Sequence, residues 1–237
     1  MKKEPNLKVN SCSKEYCSKC NGTGFMLNEK NNSYSRCECY KMARIKEMWE
    51  RSGISLGDMD KSFKEFTPWN SLVAEMKELC MQYYKSFDEI KSTKQNSLLL
   101  CGNPGCGKTH LELALANNFV KNKGTKVIYM PYRDVITSIK QSLIDEVNYL
   151  KKITKYKECE LLMIDDLFKG KITESDINIM FEIINHRYLN NLPMMISTEF
   201  NSDRILNFDE ALGSRIVEMC KGHMKEVIGR ENNYRLR

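Results

Sequence analysis

Ser97-Leu98-Leu99-Leu100-Cys101-Gly102-Asn103-Pro104-Gly105-Cys106-Gly107-Lys108-Thr109 is the stretch on which the fold turns. Ser97 to Cys101 is a short apolar run of the kind that forms a buried strand in a parallel sheet. Gly102 to Thr109 then fits G-x4-G-K-[ST], and Leu111, Leu113, Ala114, Leu115 and Phe119 continue as a helix. Strand, glycine-rich loop and helix N-terminus in this order form a phosphate-binding loop. Glycines let successive backbone N–H groups wrap a phosphate that a Cβ would obstruct, and the helix N-terminus adds partial positive charge. Gly102, Asn103, Pro104, Gly105, Cys106 and Gly107 are therefore candidate nucleotide-binding residues. Lys108 can set its ammonium against the β- and γ-oxygens of ATP, and the Thr109 hydroxyl can coordinate Mg2+. His110 follows directly and is counted with the loop. His110, His186 and His223 do not have metal-ligand spacing.

Downstream, Leu161 to Ile164 is apolar and ends in Asp165-Asp166. Carboxylates at the C-terminal end of a parallel strand face the nucleotide crevice. Asp165 is the candidate Mg2+ ligand and Asp166 the candidate group for polarising the attacking water. Lys126 to Met130 reads as another strand, Pro131 to Glu146 as a helix, and Thr173 to Asn190 as a helix. Met194 to Ser197 is a further strand. Alternating strands and helices predict a doubly wound parallel α/β sheet flanked by helices. The strand ending near Thr198 should lie beside the other two. Thr198 and Glu199 are candidates for sensing the γ-phosphate, and capping of the next helix is the competing reading.

Arg215 follows one short helix later. In oligomeric ATPases an arginine so placed reaches the γ-phosphate of a neighbouring subunit. A solvated helix residue is the competing reading. The tail from Gly229 to Arg237 is basic and short, so the usual C-terminal helical lid is not expected.

At the other end, Cys17-x2-Cys20 and Cys37-x-Cys39 are separated by 16 residues that include Gly22 and Gly24. Two turns with two thiolates each can surround Zn2+ tetrahedrally, leaving no open position, so the site would be structural. A short hairpin over 25–36 would return the chain to the second pair. Free thiols or an iron–sulfur cluster are the competing readings, and Cys12 could replace one ligand.

The chain has 237 residues with 41% hydrophobic and 29% charged, which allows one medium domain plus a small one. The predicted division is a zinc unit over 1–45, a helical linker over 46–68 and an ATPase domain over 69–237. Residues 1–51 hold 11 Lys/Arg against 6 Asp/Glu, so most of the net +6 sits there. That permits nucleic-acid contact without demanding it. No apolar run approaches the roughly 20 residues of a membrane span, and none follows Met1 to Pro5 as in a signal peptide. Ten cysteines without an export signal fit a reducing, cytoplasmic setting.

Taken together, Leu98 to Leu111, Asp165-Asp166, Ser197-Thr198-Glu199, Leu212-Gly213-Ser214-Arg215 and Gly229 to Arg235 resemble the DnaC/DnaI helicase-loader family of AAA+ ATPases. The related IstB transposition ATPases are similar too. The resemblance covers roughly residues 60–237, and the cysteine unit resembles the helicase-binding zinc domain of DnaI-type loaders. It implies an ATPase that self-associates, contacts single-stranded DNA and loads a replicative hexameric helicase. It makes Arg215 an arginine finger and places Phe66, in Phe63-Lys64-Glu65-Phe66, beside the adenine. Glu199 stands where many members have Asn, and Cys106 replaces a more usual small residue. An IstB-like transposition helper shares the same core. A small-molecule P-loop kinase would carry a lid and a different arginine set.

Overall fold

The computed structural model describes residues 17–28 and 33–237. The chain divides into two compact units, residues 1–51 and 52–237. Cys12 lies outside the described residues.

In the first unit, strands β1 (Phe25–Asn28) and β2 (Ser33–Arg36) form the expected antiparallel pair, with Phe25 opposite Arg36 and Asn28 opposite Ser33. Helix α1 (Glu38–Ser52) follows the second cysteine pair. Asn21, Gly22 and Gly24 take left-handed backbone angles, which folds the chain back toward Cys20. The Gly24 amide donates to Cys20 Sγ at 3.3 Å.

The second unit begins its regular structure with α2 (Ser71–Ile90), whose first turn is capped by Asn70, with Val73 N donating to Asn70 Oδ1 at 2.9 Å. There follow β3 (Leu98–Gly102), α3 (Lys108–Asn118), β4 (Val127–Pro131), α4 (Tyr132–Lys140), α5 (Glu146–Glu158), β5 (Leu161–Leu167), α6 (Glu174–Leu189), β6 (Met194–Thr198), α7 (Ser202–Phe208), α8 (Glu210–Cys220) and β7 (Met224–Val227). The five strands form one parallel sheet in the order β4-β5-β6-β3-β7. Continuous apolar runs build it because both faces are covered. Leu99, Cys101, Leu162, Ile164, Met194 and Ile196 join residues of α4, α5, α6 and α8 in one cluster. The alternate residues Leu98, Leu100, Met163 and Met195 are equally buried, and α3 packs on the sheet beside α2.

Two elements differ from expectation. The helix predicted over 131–146 stops at Lys140, and a new one starts at Glu146, N-capped by Asp145, whose Oδ1 accepts from Asn148 N at 3.1 Å. The segment just before the tail also contributes a strand, β7, which completes the sheet beside β3. Among the described residues no helix is long and apolar enough to cross a membrane.

A phosphate-loop cleft and a four-cysteine cluster

β3, β5 and β6 are adjacent, so their C-terminal ends bring the phosphate loop, the aspartate pair and Ser197 together. The carboxylates get there through an irregularity in the ladder. Ile164 faces Ile196 and Leu167 faces Thr198, so Asp165 and Asp166 together oppose the single residue Ser197. This bulge puts Asp166 at a φ of 58°. Ser197 closes it by donating to Asp165 Oδ1 at 2.7 Å and accepting from the Asp166 amide at 3.0 Å. The Asp165 carboxylate also accepts from Thr109 at 2.8 Å and from the Tyr129 hydroxyl at 3.1 Å. Thr109 and Asp165, the two proposed Mg2+ ligands, thus touch directly. Burial, then the Asp165 charge, pushes the Tyr129 hydroxyl well up.

Lys108 is 5% exposed and curls back over its own loop. Its ammonium donates to Gly102 O at 2.7 Å and Asn103 O at 3.1 Å. Gly107, at a φ of 93°, lies under the Phe66 ring, and a Cβ there would stand 2.5 Å from it. Only glycine fits both constraints. Phe66 is buried, with its ring 5.2 Å from His110 and 5.9 Å from Trp69. His110 also contacts Ser62 O at 3.3 Å.

The tail forms a strap along the loop. Asn103 donates through its amide to Val227 O at 3.2 Å, and its side-chain oxygen accepts from Gly229 N at 3.0 Å. Tyr234 N donates to Gly105 O at 3.0 Å, and the Tyr234 ring lies 5.1 Å from Trp69. Asn70 donates to Asn232 Oδ1 at 2.7 Å and anchors the strap to the start of α2.

These parts enclose a cleft of about 550 Å³ lined by Phe66, Trp69, Pro104, Gly105, Gly107, Lys108, Thr109, His110, Asp166, Lys169, Glu199, Tyr234 and Arg235, among others. Its size suits a nucleotide, and its lining combines aromatic rings with charged side chains. Gly102, Asn103 and Cys106, expected at the nucleotide, are not part of this lining, and Cys106 is fully buried.

Thr198 stands outside this lining. It is fully buried, donates to Leu167 O at 2.9 Å and accepts from Phe200 N at 3.1 Å. Its hydroxyl is committed to the backbone, so the structure gives it a structural place and turns Ser197 toward the aspartates instead. Successive strand residues face opposite ways, and a one-residue slip exchanges the two roles. Glu199 does line the cleft, where its Oε1 is 3.2 Å from Lys169 Nζ.

Arg215 also lies outside the cleft. Its Nε donates to Asn185 Oδ1 at 2.9 Å, and its guanidinium lies 5.1 Å from the Phe181 ring centre. Its Nη1 also donates to Ala211 O. It belongs to a surface formed by α6 and α8.

Sequence reasoning missed Ser197, Lys169, Trp69, Tyr234 and Arg235 as site residues. It also missed Glu112, which is fully buried with both carboxylate oxygens unpartnered among the described residues. Burial, then the charge of Asp165, pushes the Glu112 carboxyl well above the usual range. Strand parity could have found Ser197, and an acid inside an otherwise apolar helix run could have flagged Glu112. No spacing rule points to Lys169.

In the first unit the sulfurs of Cys17, Cys20, Cys37 and Cys39 all lie within 4.8 Å of one another. Cys17 and Cys37 are 3.9 Å apart and Cys20 and Cys39 3.4 Å. A tetrahedral ion with bonds of about 2.3 Å needs sulfurs about 3.8 Å apart, so the set fits Zn2+. Burial pushes the Cys20 thiol up, but the Gly24 amide and the other three cysteines outweigh it and bring it down to about 7. That favours the thiolate a metal requires.

A phosphate loop and an aspartate pair at the C-terminal edge of a five-stranded parallel sheet define a P-loop NTPase domain of the AAA+ class. The chain belongs to the family of IstB-like ATP binding proteins, which its residues 59–237 match. It is 32% identical over 231 residues to the phage-like element PBSX protein XkdC of Bacillus subtilis, covering 93% of this chain and 86% of that one. It is 35% identical over 209 residues to the uncharacterized protein YqaM of the same organism, covering 85% of this chain and 66% of YqaM. The fold is shared with the crystal structure of the DnaC helicase loader, at a TM-score of 0.60 and 20% identity, over 73% of this chain and 99% of that one.

Proposed function

We propose that the chain is an ATPase that loads a replicative hexameric DNA helicase onto single-stranded DNA when replication initiates. The observation that carries this is the Thr109–Asp165 contact beneath a nucleotide-sized cleft whose loop carries Lys108. In this reading the loop amides and Lys108 hold the β- and γ-phosphates of ATP, and Phe66 lies beside the adenine. Thr109 and Asp165 hold Mg2+, which when bound neutralises phosphate charge. Asp166 orients and polarises the attacking water. Arg215, outside its own cleft, serves the cleft of a neighbouring copy in a self-associated form. The four cysteines hold a structural Zn2+, and their unit docks on the helicase. The fold shared with the DnaC helicase loader supports the loading role.

Two measurements test it. Lys108→Ala should abolish ATP binding and hydrolysis that the parent protein displays, and an unchanged rate overturns the ATPase reading. Native mass spectrometry should find one Zn2+ per chain, and a Cys17→Ser/Cys20→Ser variant should lose both that ion and co-purification with the hexameric helicase. The match to IstB-like proteins favours one alternative, an ATPase helper of DNA transposition. Capture of a transposase in place of a helicase would decide for it.

A further inference from the structure

Lys169 lies in the turn that follows the aspartate pair, and no step of the reading above uses it. Its ammonium is 2.7 Å from Asp166 Oδ2 and 3.2 Å from Glu199 Oε1. All three side chains line the cleft. The turn is built to hold this arrangement. Asp166 and Phe168 have φ values of 58° and 62°, and Lys169 N donates to Asp166 O at 3.0 Å. Two left-handed non-glycine residues in three positions are costly and persist only where the surroundings impose them. The bulge opposite Ser197 imposes the first, and the burial of Phe168, 1% exposed among the rings of Tyr132, Phe200 and Phe208, imposes the second.

We propose that Lys169 is a positioning residue that clamps the Asp166 carboxylate and Glu199 together, holding Asp166 away from the attacking water and keeping basal ATP hydrolysis slow. This rests on the reading of Asp166 as the group that polarises that water. The ion pair occupies one acceptor site on Oδ2 and fixes the orientation of the whole carboxylate, so Asp166 cannot turn toward the water without breaking it. The alternative position for the ammonium is unfavourable. Lys169 also borders a second cavity of about 200 Å³, lined by Arg133, Lys140 and Lys171. The acid there, Asp176, is already paired with Lys140 at 2.8 Å. Like charges on that side keep Lys169 on Asp166 until an anion enters.

The test is steady-state ATP hydrolysis by the full chain carrying Lys169→Met, Lys169→Gln or Lys169→Arg, with Lys108→Ala as control and thermal melts to confirm folding. Freeing Asp166 should raise basal kcat about 10-fold, part of the roughly 100- to 10,000-fold that a positioned base supplies, with KM unchanged. Lys169→Arg preserves the ion pair and should stay slow. A lowered kcat with a raised KM in Lys169→Met would show that Lys169 serves the phosphates, and overturns the clamp. An unchanged kcat in folded Met and Gln variants overturns it too, while the ATPase reading stands on the parent's Lys108-dependent rate. Hydrolysis absent from every variant overturns both.

Discussion

Ser197 and Thr198 are neighbours with similar side chains and opposite consequences. Ser197 holds both aspartates, so Ser197→Ala should weaken Mg2+-dependent turnover by about 10- to 100-fold, the usual cost of losing a residue that orients a metal ligand. Thr198→Val should instead leave Mg2+ dependence alone and cost about 1–2 kcal/mol of stability, because Phe200 N and Leu167 O lose a partner. Titrating Mg2+ against activity, and urea against circular dichroism, separates the two. Glu112 adds a pH prediction. Burial, then the charge of Asp165, holds its carboxyl well above the ordinary carboxylate range in the fold, a shift the unfolded chain does not have. Its contribution to stability is therefore complete below the ordinary carboxylate value of about 4.3 and is lost as pH rises above it. Glu112→Gln has no proton to retain, so its urea midpoint should gain on the parent's as pH rises above the ordinary carboxylate range. Equal shifts below and above that range would contradict the buried neutral acid. At this scale the sequence was legible where chemistry repeats at fixed spacing, as in Gly102 to Thr109 and Asp165-Asp166. It was less legible at Ser197 and Thr198, where only strand parity tells which hydroxyl faces the aspartates.

Elements were legible where apolar runs were long. β3, β5 and β6, buried along almost their whole lengths, were readable from composition alone. β7 was not, because Met224-Lys225-Glu226-Val227 has two charged residues and pairs at the edge of the sheet, where one side is open. The break between α4 and α5 was missed since Gln141 to Asp145 contains neither Gly nor Pro. The Leu212-Gly213-Ser214-Arg215 string has a reason at this scale. A Cβ on Gly213 would lie 2.8 Å from Ile205 O and 2.9 Å from Leu206 Cα, so α7 and α8 can meet this closely only at glycine. Gly213→Val should cost about 1–3 kcal/mol through overpacking. It should also lower ATP turnover at high protein concentration by shifting the helix that carries Arg215, while ATP affinity is retained. Unaltered turnover and melting would show that α7 and α8 can separate freely.

For the whole molecule, the cleft carries its own phosphate loop and aspartates but not Arg215. A finger that acts in trans predicts complementation. Arg215→Ala and Lys108→Ala should each be inactive alone, and an equal mixture should recover a measurable fraction of parental activity, because some interfaces then pair an intact cleft with an intact finger. No recovery at any ratio would assign Arg215 a structural role beside Asn185 and Phe181. The tail strap has a practical consequence. Trp69 has the rings of both Phe66 and Tyr234 beside it, and all three line the cleft. The chain has only two tryptophans, Trp69 and Trp49. In a Trp49→Phe background the remaining indole becomes an optical probe native to the protein. Its emission should shift when a purine slides in among the rings, so occupancy could be followed in real time without any dye.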